Sequence, residues 1–266
     1  MALAYDRAAN SQLHRPARRY SHYRELTCSR SDKGTLPAMT HASDGTRAVL
    51  FDLDGTLVDT APDMVAALNE LRQQEGLEAL PFEEVRPLVS HGAVALVRAA
   101  FPGATAAQPA ALRERFLRIY RGGLAVRTRA YPGIPEALER LEGRGIHWGV
   151  VTNKPGWLTE PLLEQLALLK RAGVIVSGDT LAQRKPDPAQ LLYAADRLRL
   201  RPSQCIYIGD AERDVLAAQA AGMQVFVALF GYIPAHENPR GWPASGWLDH
   251  PQALARMLDS LILSPS

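Results

Sequence analysis

The chain has 266 residues, 47% of them hydrophobic and 22% charged, a balance that fits one large globular domain, or a core with a smaller insert. A formal net charge of +2 gives no support to a general nucleic-acid binder. No apolar run approaches the roughly 18 residues of a membrane-spanning helix.

Residues 1–45 differ from the rest. They hold Arg7, Arg15, Arg18, Arg19, Arg24, Arg30 and Lys33 against Asp6, Glu25, Asp32 and Asp44. With no sustained helical or strand period, the expectation is a basic tail, disordered or loosely packed. Its Arg and Ser content superficially matches a transit peptide, and it lacks the apolar region of a secretory signal. Met39, just before the first strand, is an alternative natural start. Cys28 and Cys205 lie in unlike contexts, which fits a reducing cytoplasm and not a disulfide framework.

The stretch from Arg47 to Thr60, RAVLFDLDGTLVDT, opens on an apolar run that predicts a buried parallel strand ending at Asp52. Ligands bind at the carboxyl ends of such strands. Asp52 and Asp54 there are costly to bury without a positive partner, and a metal ion is the simplest one. On DxD alone, ordinary turn chemistry is an equal reading.

Helices are expected next. Met64, Ala67, Leu68 and Leu71 follow helical spacing, with Gly76 as a stop. Two more are predicted at 91–101 and about 107–122, the latter with Leu112, Phe116, Leu117 and Tyr120 on one face. So much helix is too long for one crossover between strands. The better reading is a helical cap at 61–131, hinged at 60–62 and 129–133. Its polar groups His91, Arg98, Arg127 and Arg129 are the ones to inspect for substrate selection, although most helical arginines are solvated. His91 either caps a helix or faces the substrate.

Beyond Pro132 helices and strands alternate. Helices are predicted at 134–143, 157–166, 188–198 and 213–221, and strands at 147–153, 174–177, 205–208 and 225–229. This pattern predicts an α/β fold: a Rossmann-like, doubly wound parallel sheet, with the core formed by 46–60 and 132–266. No GxGxxG string follows the first strand, so a dinucleotide site is not indicated. Polar clusters sit at the strand ends: Thr152, Asn153 and Lys154, then Lys185, then Gly209, Asp210 and Asp214. Several such clusters at one sheet edge form a constellation.

The strings DLDGTLVDT, VTNK, RKPDP and GDAERD, in that order, resemble the four motifs of the haloacid-dehalogenase superfamily of phosphotransferases. The resemblance covers everything after the tail. It implies a Mg²⁺-dependent phosphatase with Asp52 as nucleophile and Asp54 as general acid and base. Asp52, the Asp54 carbonyl and Asp210 would hold the ion, which suits oxygen ligands. Thr152, Asn153 and Lys185 would bind phosphate, with backbone N–H groups near Leu53, Asp54 and Asn153. Asp214 would support the metal through water, or equally serve as an N-terminal helix acid. A sugar phosphomutase and a non-catalytic sensor of a phosphorylated metabolite are the alternatives; the intact acid pair argues against the sensor.

Two phosphatase subfamilies compete. Overall the chain resembles phosphoglycolate phosphatases, as does His91-Gly92. HWGVVTNKP and GYIPAHENPRGW, with DHP at 249–251, are more similar to N-acetylmuramic acid 6-phosphate phosphatases of peptidoglycan recycling. The latter is the preferred reading. The partner expected is a small phosphorylated metabolite, with no nucleic acid and no membrane; the oligomeric state is open.

Overall fold

A computed structural model describes residues 45–105 and 108–262. The basic tail and Met39 lie outside the described residues.

The apolar run forms β1 (Ala48–Phe51), buried throughout. It is the centre of a parallel sheet with β4 (His147–Val151), β5 (Val174–Val176), β6 (Cys205–Gly209), β7 (Gln224–Ala228) and β8 (Gly246–Leu248), in the order β5-β4-β1-β6-β7-β8. Val49 pairs with Trp148 on one side and Ile206 on the other. The two-residue period of a strand sends alternate side chains to opposite faces. Val49, Phe51, Trp148, Val150, Ile206 and Ile208 build one core. Ala48, Leu50, Val151, Tyr207, Val225 and Val227 build the other. Helices α5 (Ile134–Gly143) and α9 (Ala253–Ile262) close the first face through Leu138, Leu141, Leu254 and Leu258. Helices α7 (Ala189–Leu198) and α8 (Glu212–Ala221) close the second through Leu191, Ala194 and Val215. A parallel sheet covered on both faces is the architecture the sequence predicts. Helix α6 (Gly156–Gln165) follows β4.

Between β1 and β4 the chain forms α1 (Ala61–Gln74), a short α2 (Phe82–Val85), a 3₁₀ turn over Arg86–His91, α3 (Gly92–Ala100) and α4 (Gln108–Gly122). Met64, Leu68, Leu71, Leu96, Phe116 and Tyr120 bury against one another, continuous with the first core. The flanks expected to be hinges, 60–62 and 129–133, adjoin a strand pairing. β2 (Val58–Asp59) and β3 (Arg129–Ala130) form an antiparallel ribbon, Val58 opposite Ala130 and Asp59 opposite Arg129. Next to it, buried Asp63 accepts hydrogen bonds from the Arg127 N–H, the Thr128 N–H and the Thr128 hydroxyl, at 2.8–3.0 Å. Among the described residues no helix is long and apolar enough to cross a membrane.

Candidate active site

The ends of β1, β4 and β6 meet at one edge of the sheet, where the strand order reverses direction and open α/β sheets bind ligands. Asp52 follows β1 and Asp210 follows β6, while Asp214 stands in the first turn of α8. All three are buried, and one ligand oxygen from each lies within 4.8 Å of the others. Lys185 reaches this cluster from the loop before α7. Its Nζ lies 3.1 Å from Asp52 Oδ1, 2.7 Å from Asp214 Oδ1, 2.7 Å from the Tyr207 hydroxyl and 3.0 Å from the Val151 carbonyl. Lys185 thus offsets the Asp52 charge. Tyr207, which the sequence presents as one more buried strand residue, anchors that ammonium. Asp214 is engaged through both oxygens: Oδ1 pairs with Lys185, and Oδ2 accepts the Ala211 N–H at 3.0 Å at the start of α8.

Asp210 is held by contacts that sequence reasoning missed. Its Oδ2 accepts the Ser90 hydroxyl at 2.7 Å and the Tyr232 N–H at 2.8 Å. Its Oδ1 is buried and has no hydrogen-bond partner among the described residues. Burial, then the Asp52 and Asp214 charges, push the Asp210 carboxyl up to about 7 against the two hydrogen bonds. A bare acceptor among three carboxylates, with one ammonium inside the cluster, fits a divalent cation. The donors are all oxygen, as hard cations require. The approach is close enough to need glycine: a Cβ on Gly55, whose φ is +82°, would stand 2.2 Å from Asp210 Oδ2.

Asp54 faces the same space. Its Oδ1 accepts the Thr60 hydroxyl at 2.7 Å and Lys154 Nζ at 2.9 Å. Lys154 also donates to the Tyr120 hydroxyl on α4, at 3.1 Å. Burial alone would lower the Lys154 pKa, but the Asp54 carboxylate and Tyr120 outweigh it and hold the ammonium charged. Burial also pushes the Tyr120 hydroxyl up to about 12. The signal for Lys154 was present in the VTNK string, but nothing local tied it to a carboxylate 100 residues away. Thr152 is buried beside the two acids, and its Oγ1 accepts the Lys154 N–H at 3.2 Å. Asn153 spends its side chain on the Lys185 backbone: Nδ2 donates to the carbonyl and Oδ1 accepts the N–H. The Leu53 N–H, expected in a phosphate cradle, donates to Asp52 Oδ1 at 2.7 Å.

A cavity of about 330 Å³ opens over Asp52 and Asp54. Thr152, Asn153 and Lys154 line its floor, and Met64, Val89, Val94, Leu117 and Leu158 line its apolar wall. His91 borders the cavity, and its Nε2 lies 3.5 Å from Glu237 Oε1, which lines a neighbouring cavity. Arg98 is exposed on α3 and does not line the cavity, because the helix turns Leu96 and Val97 inward instead. Arg127 and Arg129 are likewise away from the cavity: Arg127 donates to the Pro62 carbonyl, and Arg129 to the Ala125, Val126 and Thr128 carbonyls. The cap arginine that lines the cavity is Arg113 of α4, which no local pattern separates from its charged neighbours.

A carboxylate paired with an ammonium, next to a cation-ready oxygen cluster and across from a second carboxylate, is equipped to move a phosphoryl group. Residues 49–228 match the family described as haloacid dehalogenase-like hydrolase. A phosphoglycolate phosphatase of Xanthomonas campestris is 45% identical over 208 residues, covering 78% of this chain and 94% of that protein. An N-acetylmuramic acid 6-phosphate phosphatase of Pseudomonas aeruginosa is 43% identical over 215 residues, covering 80% and 95%. A crystal structure from Haemophilus somnus, described as a predicted phosphoglycolate phosphatase, superposes with a TM-score of 0.72 at 26% identity, over 80% of this chain and 97% of that one.

Proposed function

Because this chain belongs to the haloacid dehalogenase-like hydrolases and is a phosphatase, we propose that its preferred substrate is N-acetylmuramic acid 6-phosphate. The observation that carries this choice is the cavity. Its volume of about 330 Å³ and its apolar wall of Met64, Val89, Val94, Leu117 and Leu158 suit an acetylated amino sugar better than a two-carbon acid. A ligand pocket of this size is at the lower end of the usual range of roughly 300–1,000 Å³. The relative from Pseudomonas aeruginosa supports the same reading. Phosphoglycolate is the second reading, favoured by the 45% identical relative. A role in cytoplasmic peptidoglycan recycling follows from the first, and the free, buried Cys205 thiol agrees with a reducing compartment.

In this reading Asp52 attacks phosphorus and the bond to the ester oxygen breaks, leaving an aspartyl-phosphate. Asp54 gives a proton to the departing oxygen, then takes one from the water that hydrolyses the acyl phosphate. The net change is phosphate ester plus water to alcohol plus inorganic phosphate. Lys185 holds Asp52 and, with Thr152 and the Asn153 backbone, receives the phosphoryl oxygens. Lys154 and Thr60 keep Asp54 aimed across the cavity through a single oxygen, Oδ1, leaving Oδ2 to carry the proton. Asp52, the Asp54 carbonyl and Asp210 are the groups suited to hold Mg²⁺, which when bound neutralises phosphoryl charge.

The test is kcat/KM for the two esters, measured side by side. The muramic acid ester is expected to lead, and Asp52→Asn is expected to abolish turnover of both while remaining folded. A tenfold lead for phosphoglycolate would reverse the choice of substrate, and near-normal turnover by folded Asp52→Asn would overturn the nucleophile.

A further inference from the structure

Most cations around the cavity are engaged. Lys154 is paired with Asp54, and Lys185 with Asp52 and Asp214. Arg213 donates to the Ser90 carbonyl. Arg184 stands at the exposed rim. Arg113 differs. It lines the cavity, its Nε is buried, and that nitrogen has no hydrogen-bond partner among the described residues. That nitrogen is closed off, so a ligand in the cavity would meet the guanidinium through its terminal Nη groups, which no hydrogen bond or ion pair engages among the described residues.

The helix explains why it is there. Arg113, Leu117 and Tyr120 are spaced i, i+4 and i+7, so they share one face of α4, and all three line the cavity. Tyr120 fixes that face against the floor by accepting a hydrogen bond from Lys154. Arg113 is two turns away along the same face. A guanidinium there is a planar fork that matches a carboxylate in bidentate fashion. The phosphoryl group is served by the residues at the strand ends, so the acceptor for Arg113 must be a different group on the same ligand.

We propose that Arg113 is the receptor for a carboxylate carried by the phosphate ester, so that the enzyme selects acid phosphates over neutral ones. The proposal rests on the phosphatase reading but not on the choice of substrate, since glycolic and muramic acids both carry a carboxylate.

The experiment compares kcat/KM within two pairs of esters. One is 2-phosphoglycolate against 2-hydroxyethyl phosphate; the other is N-acetylmuramic acid 6-phosphate against N-acetylglucosamine 6-phosphate. The wild-type protein is expected to favour the acid by about 10²-fold in at least one pair. Arg113→Met is expected to erase most of that ratio, mainly through KM, and Arg113→Lys to restore part of it. An acid-to-neutral ratio unchanged in Arg113→Met would overturn the proposal. So would a wild-type protein that turns over both members of each pair equally. Should Arg113→Met fail to fold, the Arg113→Lys ratio decides by the same criterion, a ratio equal to wild type counting against a bidentate contact. Failure of the phosphatase reading looks different: the wild-type protein would then release phosphate from none of the four esters.

Discussion

Asp210 links burial to ion binding. It is enclosed with two other carboxylates and keeps one oxygen without a donor, and its carboxyl is raised to about 7. Its folded pKa lies above the unfolded value of about 3.9. Between about pH 4 and pH 7 the folded protein therefore holds a proton that the unfolded chain has released. The stability this proton confers is complete below about pH 4 and is lost as pH rises toward 7. A divalent cation replaces the proton and needs the ionised form. Thermal melting with and without Mg²⁺ should thus give a larger rise in Tm at about pH 8 than at about pH 5. Equal rises at both pH values would refute the link. The residue scale is also where sequence reading was strongest. Asp52, Asp54, Lys185, Asp210 and Asp214 all stand in one cluster of strand ends. It missed the residues that hold them. Ser90, Tyr207 and Tyr232 read as ordinary cap, strand and loop residues, because the contacts that give them meaning span up to 120 residues, between Ser90 and Asp210.

Elements with strong periodicity were legible, and very short ones were not. The helices from α5 to α8 and strands β4 to β7 fall within a few residues of expectation. β2 and β3 are two residues each, too short to show an alternation. β8 lies between the strings GYIPAHENPRGW and DHP, and neither it nor α9 was among the predicted elements, although Leu254, Met257 and Leu258 share a face. The ribbon and the start of α1 depend on Asp63, whose carboxylate takes three donors from the returning chain. Asp63→Ala would leave the buried Thr128 N–H and hydroxyl without acceptors. A loss of about 3 kcal/mol in urea unfolding is expected. A loss below about 1 kcal/mol would show that water satisfies these donors and that the contact is dispensable.

At the scale of the whole molecule, the α/β class followed from alternating strands and helices, whereas the strand order did not. No local pattern says that β1 lies between β4 and β6. That order depends on which edges remain open when each crossover closes, a property of the assembled sheet. The order gathers the strand ends into one place. The walls over them come from a segment that leaves after β1 and returns before β4.

The ribbon of β2 and β3 has an engineering consequence. The segment enters and exits through residues paired side by side, Asp59 opposite Arg129. Its ends are therefore neighbours, and the gap they span does not depend on what lies between them. Such a segment is an exchangeable cassette. Replacing everything between Asp59 and Arg129 with the corresponding stretch of the Xanthomonas campestris relative is expected to give a folded hydrolase. Its substrate ranking should follow the donor of the cassette and not the recipient sheet. A folded chimera that keeps the recipient's ranking would locate selectivity in the sheet loops instead. If the cassette carries the ranking, new specificities can be recruited by exchange at one junction, provided the donor supplies the hydroxyls of Thr60, Ser90 and Tyr120 that hold Asp54, Asp210 and Lys154.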